Sequence, residues 1–354
     1  MRILFLAPAY AGLHIPIIEE MKRQGHDVVW IDDTAIQYDM RIPRHGILNK
    51  MRCKVSTVLR HPSKKVWDKI FKERSEELKT TFDMFFCING RTLCKELFVF
   101  LDKMPNIKKV LYVWDSVSVF DFYRYQDRFN KCYTFDLDDS VNVSGLVYKP
   151  LYWIDNHQLL PSTMVRQKKK RYDISIVGSD HDKRFEIVNK ILPQVKDAGL
   201  SYFFRVQIWK PSFSHVFLYK FRMRYMASFR RIVEYAEAKY ERDRKNEIAM
   251  EGVIPPAEYT EIMRHTVCVL DTDRGTQSGI TPRVIWALAM GKKIISTNRN
   301  LLRAPFYSSE QISIIDRETP IIDIDFIKDN RTFSIHPEIE KLRLDKWVRS
   351  FMEG

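Results

Sequence analysis

The hydrophobic positions of this chain fall into two series of the same kind. Arg2–Ala7 is apolar from its second residue on and reads as a buried strand, with a turn at Pro8–Gly12. From Ile15 to Arg23 the apolar residues recur at helical intervals, Gly25 can stop the helix, and Asp27–Ile31 is the next strand. Strand, helix and strand in so short a span make a βαβ unit, which favours a parallel sheet with helices on both faces. Met84–Ile88 and Lys109–Trp114 read as further buried strands, and Cys132–Phe135 as a shorter one.

The second series starts at Asp173–Val177, closed by Gly178. A helix over Lys183–Ala198 follows, then the strands Tyr202–Val206 and Val267–Asp271, and a glycine-bearing loop. A helix from Pro282 to Met290 stops at Gly291 and leads into the strand Lys293–Thr297. In the middle, Tyr219–Tyr225 alternates strictly, a strand pattern with one cationic face, and Ile232–Asn246 has the spacing of a charged, exposed helix. The pattern predicts an α/β protein of two facing Rossmann-like domains with a cleft between them. The expected division is 1–155 for the first domain, 156–171 for a basic linker, 172–335 for the second domain, and 336–354 for a helix near Ile339–Phe351 that packs back on the first.

Composition agrees with two packed cores: 354 residues, 45% of them hydrophobic and 13% aromatic, leave no case for disorder. No apolar run reaches the roughly 20 residues of a membrane-spanning helix. The N-terminal apolar stretch resembles a signal peptide, but Pro8 interrupts it below the length such a segment needs. Cys53, Cys87, Cys94, Cys132 and Cys268 form no CxxC pair, which argues for a reducing compartment and against a zinc site or a disulfide framework.

Charge adds a second theme. The formal net charge is +13 and it is clustered. Arg41–Lys65 holds eight Lys or Arg and Lys210–Arg231 six, neither with an acid, and the second interleaves its cations with aromatics. Such runs suit anionic partners. Cations among interfacial aromatics fit an anionic membrane surface, with Lys220, Arg222 and Arg224 as the contact. A nucleic-acid partner is the lesser alternative, since no recognition module surrounds the run. A strand whose aromatic face is simply buried remains the plain alternative.

The segment from Val269 to Arg283 carries the strongest local signal. It reads strand, small polar loop, helix, with Thr281 at the N-cap and Pro282 in the first helical position. A helix N-terminus suits a phosphate, Gly279 permits close backbone approach, and Arg283 can give a bidentate guanidinium to a diphosphate. An ordinary capped junction would look the same. The wider order, however, resembles the GT-B glycosyltransferases of bacterial capsule and lipopolysaccharide gene clusters. The similarity lies in Pro255-Ala257-Glu258-Tyr259, Met263, Val269-Leu270-Asp271, Gly279, Arg283, Ala287-Leu288-Ala289 and Gly291–Asn298, with Ile174–Gly178 and Arg184 before them.

This resemblance implies a nucleotide-sugar donor held by Gly178, Arg184, Gln277, Ser278, Gly279, Thr281 and Arg283, with Arg205 reaching it from a neighbouring strand end. It implies a glycan acceptor, lipid-linked, on the first domain, no cofactor beyond the co-substrate, and no metal ion. A cytoplasmic enzyme lying on the inner face of the cytoplasmic membrane follows from the same reading. Where many such enzymes carry a ribose-binding glutamate this chain has Trp286, whose indole only donates. An inverting transfer needs a base, and His14 after the first strand or Asp115 after Lys109–Trp114 is of the right type. Asp136, Asp138 and Asp139 read as an acidic loop. A nucleotide-sugar epimerase, a non-catalytic nucleotide-sugar binder and a nucleic-acid binder stay open as rivals.

Overall fold

A computed structural model describes residues 1–9, 12–33, 62–116, 123–155, 171–208, 237–252, 254–275 and 277–353. The basic run Lys210–Arg231, with Lys220, Arg222 and Arg224, lies outside the described residues, as do residues 41–61 of the first basic run and most of the expected linker. The chain divides into two units. The first comprises Met1–Trp153, Thr276–Pro282 and Glu340–Gly354, the second Ile154–Gly275 and Arg283–Ile339.

The first unit is built on six parallel strands: β1 (Arg2–Ala7), β2 (Asp27–Asp32), β3 (Met84–Ile88), β4 (Lys108–Val113), β5 (Lys131–Thr134) and β6 (Leu146–Tyr148). Their order across the sheet is β2-β1-β3-β4-β5-β6. All five residues of β3 are buried, as the unbroken run Met-Phe-Phe-Cys-Ile requires of a strand covered on both faces. Alternate residues go to opposite sides. Leu4, Leu6, Phe85, Cys87 and Leu111 join Trp67 of helix Pro62–Glu73 and Leu97, Phe98 and Leu101 of helix Lys95–Leu101 in one core.

The other face is aromatic. Phe351 of the C-terminal helix packs on Phe86, Tyr112 and Tyr133, and Trp347 stands edge-on to Tyr112 at 5.0 Å. The apolar pattern read as one helix over Ile339–Phe351 is in fact a turn at Pro337–Glu340 followed by a helix at Leu344–Met352. The break has a cause: Trp153 N–H donates to the Leu342 carbonyl and Leu344 N–H to the Trp153 carbonyl, so this stretch is extended, not helical.

The second unit has strands β7 (Tyr172–Ser179), β8 (Tyr202–Gln207), β9 (Ala249–Met250), β10 (Thr266–Asp271), β11 (Lys293–Ser296) and β12 (Ile312–Ile314), all parallel, in the order β12-β11-β10-β7-β8-β9. Renumbered from β7 this is the dinucleotide-fold order, with two strands built outward on one side of the first and three on the other. Of the helix expected at 232–246, the described residues begin at 237 and are helical to 243, and they are not wholly exposed: Tyr240 and Asp243 are buried. Both units are therefore Rossmann-like, one flavodoxin-like in strand order and one of the dinucleotide type.

Candidate functional site

In an open parallel sheet, ligands bind at the carboxyl ends of the strands where the chain reverses its direction of building. For the second sheet that point lies between β7 and β10. Gly178 is the penultimate residue of β7, and a methyl group there would sit 2.6 Å from Arg283 Nη2 and 2.8 Å from Arg184 Nη1. Glycine is thus what lets two guanidiniums close on the strand end. Arg184 opens helix Arg184–Asp197 directly after the β7 loop. Its Nε donates to Thr272 Oγ1 at 2.7 Å, its Nη2 to the Thr272 carbonyl at 3.0 Å, and its Nη1 to the Ser179 carbonyl.

Arg283 comes from helix Pro282–Ala289 and is anchored differently. It pairs with the fully buried Asp271 at 2.5 Å and donates to the Val177 carbonyl through Nε and Nη2. Asp271 thus neutralises one of the two guanidiniums, while Arg184 gives its hydrogen bonds among the described residues to neutral oxygens. Burial, and then repulsion by Arg283, push Arg184 down to about 9. His181 is likewise lowered by burial, and then by Arg274 and Arg184. Asp271 and Asp180 pull the other way, so two largely buried guanidiniums meet at this strand end among carboxylates, and a group in which cations crowd each other out of water is a candidate anion site.

The loop before Pro282 is held inside the first unit. Asp136, buried at 1% exposure, takes the Ser278 N–H at 2.8 Å, the Gly279 N–H at 3.2 Å and the Ser278 hydroxyl, and also accepts from Asp139 N–H. Gly279 lies against Phe135, and a Cβ there would fall 2.1 Å from the ring. The N–H groups read as phosphate donors therefore have a carboxylate partner within the chain. The reading of Asp136–Asp139 as an acidic loop is corrected by the same contacts: Asp136 caps a helix over Leu137–Asn142, and Asp136 and Asp139 are buried. Among the described residues no group of three His, Cys, Asp or Glu could hold a metal ion.

In the first unit, Asp115 follows β4. Its carboxylate accepts from Asn89 Nδ2 at 2.9 Å and lies 3.4 Å from Arg91 Nη2. Asn89, at a φ of 63°, also accepts the Trp114 N–H through its side chain, which fixes the strand end that carries Asp115. Asp33, wholly buried, takes the N–H groups of Arg91 and Thr92 and so positions the same loop. His14 was expected in a loop. The structure places it as the first residue of helix His14–Arg23, its ring stacked on Trp30 at 4.4 Å and its Nδ1 buried without a hydrogen bond. Burial lowers its pKa against the opposing pull of Asp32, so its free form is favoured at neutral pH.

The structure thus brings Gly178, Arg184 and Arg283 together in the second unit. Arg205 is turned elsewhere, its Nη1 donating to the carbonyls of Phe204 and Glu247 while its guanidinium lies over Phe203. Gln277 has its Nε2 buried without a partner, Thr281 directly precedes the helix, and Trp286 is half-buried within it. The roles of Asp33, Asn89 and Asp136 carry no local signature in the sequence, because each depends on a partner from another strand end.

No family model and no curated protein matches the sequence. Among solved structures the chain is similar to the apo form of the lipopolysaccharide outer core galactosyltransferase WaaB, 10% identical, covering 100% of this chain and 98% of that one, at a TM-score of 0.45. It is also similar to MurG of Acinetobacter baumannii, 10% identical over 100% and 99%, TM-score 0.44. A third is sucrose-phosphate synthase of Thermosynechococcus elongatus, 9% identical over 100% and 94%, TM-score 0.48. The fold itself rests on the two strand orders: the chain is a protein of two Rossmann-like units, the pair from which the GT-B fold is composed.

Proposed function

We propose that the chain is a glycosyltransferase that takes its sugar from a nucleotide-sugar donor. The observation that carries this reading is the approach of Arg184 and Arg283 to Gly178 at the reversal point of the second sheet. A diphosphate there would offset the charge of Arg184 and would be stabilised as it leaves, which is what sugar transfer asks of a donor site. Fixed guanidiniums supply that stabilisation without a divalent ion. In the reaction the bond between the anomeric carbon and the diphosphate oxygen breaks, a bond to the acceptor oxygen forms, and the acceptor proton passes to a base. Asp115, partly open to solvent and oriented by Asn89, is the candidate base, with His14 as the second.

A growing surface glycan on a lipid carrier is the acceptor that suits an enzyme with basic, aromatic runs, and the proposed place of work is the inner face of the cytoplasmic membrane. Among the described residues no helix is long and apolar enough to cross a membrane.

Gly178→Ala tests the donor site. The clashing atoms are the far ends of flexible side chains, so the fold should survive while both guanidiniums are displaced. Calorimetry with uridine diphosphate and with inorganic pyrophosphate should show a loss of about ten- to a hundredfold, the worth of a charge-assisted contact. Unchanged affinity in the variant would remove this site.

A further inference from the structure

We infer that Arg317 is a positioning residue for the anion site, setting its affinity without being part of it. This rests on the reading that a nucleoside diphosphate binds at Gly178, Arg184 and Arg283. Arg317 follows β12 and reaches back to the two loops that flank the reversal point. Its Nη1 donates to the carbonyl and to Oδ1 of Asp273, both at 2.8 Å. Its Nη2 donates to the Asp182 carbonyl and lies 3.0 Å from Asp182 Oδ2. Asp182 Oδ2 also accepts the Gly275 N–H at 2.6 Å, so the loops are tied to each other as well. Thr297 Oγ1 completes the group on Asp273.

Both tethered loops lead straight to Arg184. Asp182 and Lys183 stand at φ values of 52° and 64°, and Arg184 is the next residue. Two successive non-glycine residues in left-handed backbone cost free energy and persist only where the surroundings hold them. Asp273 follows Thr272, whose hydroxyl and carbonyl receive Arg184 Nε and Nη2. One guanidinium therefore holds both the turn that launches Arg184 and the residue beside its main acceptor. It also sets a positive charge against two carboxylates, Asp182 and Asp273, and so weakens the repulsion they exert on a phosphate approaching the site. Without Arg317 the turn can relax to ordinary backbone, and Arg184 moves away from Gly178.

Arg317→Ala and Arg317→Lys test this in the full chain, with uridine diphosphate and inorganic pyrophosphate as calorimetric probes. The alanine variant should lose tenfold or more in affinity for both. The lysine variant, with one point of contact in place of a fork, should fall between it and the parent. Millimolar methylguanidinium should restore binding to Arg317→Ala and not to Gly178→Ala, a rescue that a general loss of stability would not give. Parent-like affinity in Arg317→Ala, or loss without rescue, overturns the positioning role while leaving the donor site in place. If the unaltered protein binds neither probe, the donor-site reading itself fails.

Discussion

At the scale of single residues, Asp33 is a carboxyl displaced far from its ordinary chemistry. Complete burial, opposed in part by the N–H groups of Arg91 and Thr92, raises it from 3.8 to about 7. A carboxyl that holds its proton more tightly when folded contributes stability that is full below its unfolded value near 4 and is lost as pH climbs through 7. Three units correspond to about 4 kcal/mol, an upper figure for a wholly buried group. Urea unfolding of the parent and of Asp33→Asn from pH 5 to 8 should show the parent losing ground as pH rises, and a flat difference would refute the buried proton. The same scale sets how far the site could be read in advance. Gly178, Arg184 and Arg283 stand at strand ends and helix starts, where local pattern carries the information. Arg317 has no such context, and its role exists only because β12 ends near two loops made much earlier in the chain. Arg205 fails to join the group because its side chain lies back over Phe203, and a sequence gives strand position more readily than side-chain direction.

Among the elements, long buried runs were legible and short edge strands were not. β1, β3, β10 and helix Pro282–Ala289 show their period in the residues themselves, with most positions buried. β6, β9 and β12 contribute three, two and three residues and keep half-exposed positions, too little for any period to declare itself. The Asp136-capped helix was missed for a different reason: its sequence, Leu-Asp-Asp-Ser-Val-Asn, looks like a solvated loop, and only the Ser278–Gly279 loop gives its acids an interior. Gly279→Ala is the direct probe of that docking. Its methyl group would overlap the Phe135 ring, so the variant should lose about 1–3 kcal/mol in urea unfolding, the usual cost of overpacking. A cost near zero would mean that the loop is not seated on Phe135.

For the whole molecule, the +13 charge predicts behaviour that no single contact can. Each cation near an anionic leaflet adds about 1 kcal/mol, fading within a Debye length of about 8 Å, so binding should be reversible and salt-sensitive. The protein should sediment with anionic liposomes, weakly with neutral ones, and be released by high salt. Replacing Lys220, Arg222 and Arg224 together by Ser should weaken sedimentation and leave uridine diphosphate binding intact. Parent-like sedimentation of that variant, or a preference for single-stranded RNA at matched salt, would favour the rival reading of the charge. Helix Leu344–Met352 imposes an order of events on the ribosome. Every strand of the first sheet has emerged by residue 148, yet the aromatic face of Phe86, Tyr112 and Tyr133 has no Trp347 or Phe351 to cover it. The second unit, whose residues end at Ile339, can close first. Of the two units, the one begun first is therefore the later to be finished, and during that interval its open aromatic face is the surface a chaperone would meet.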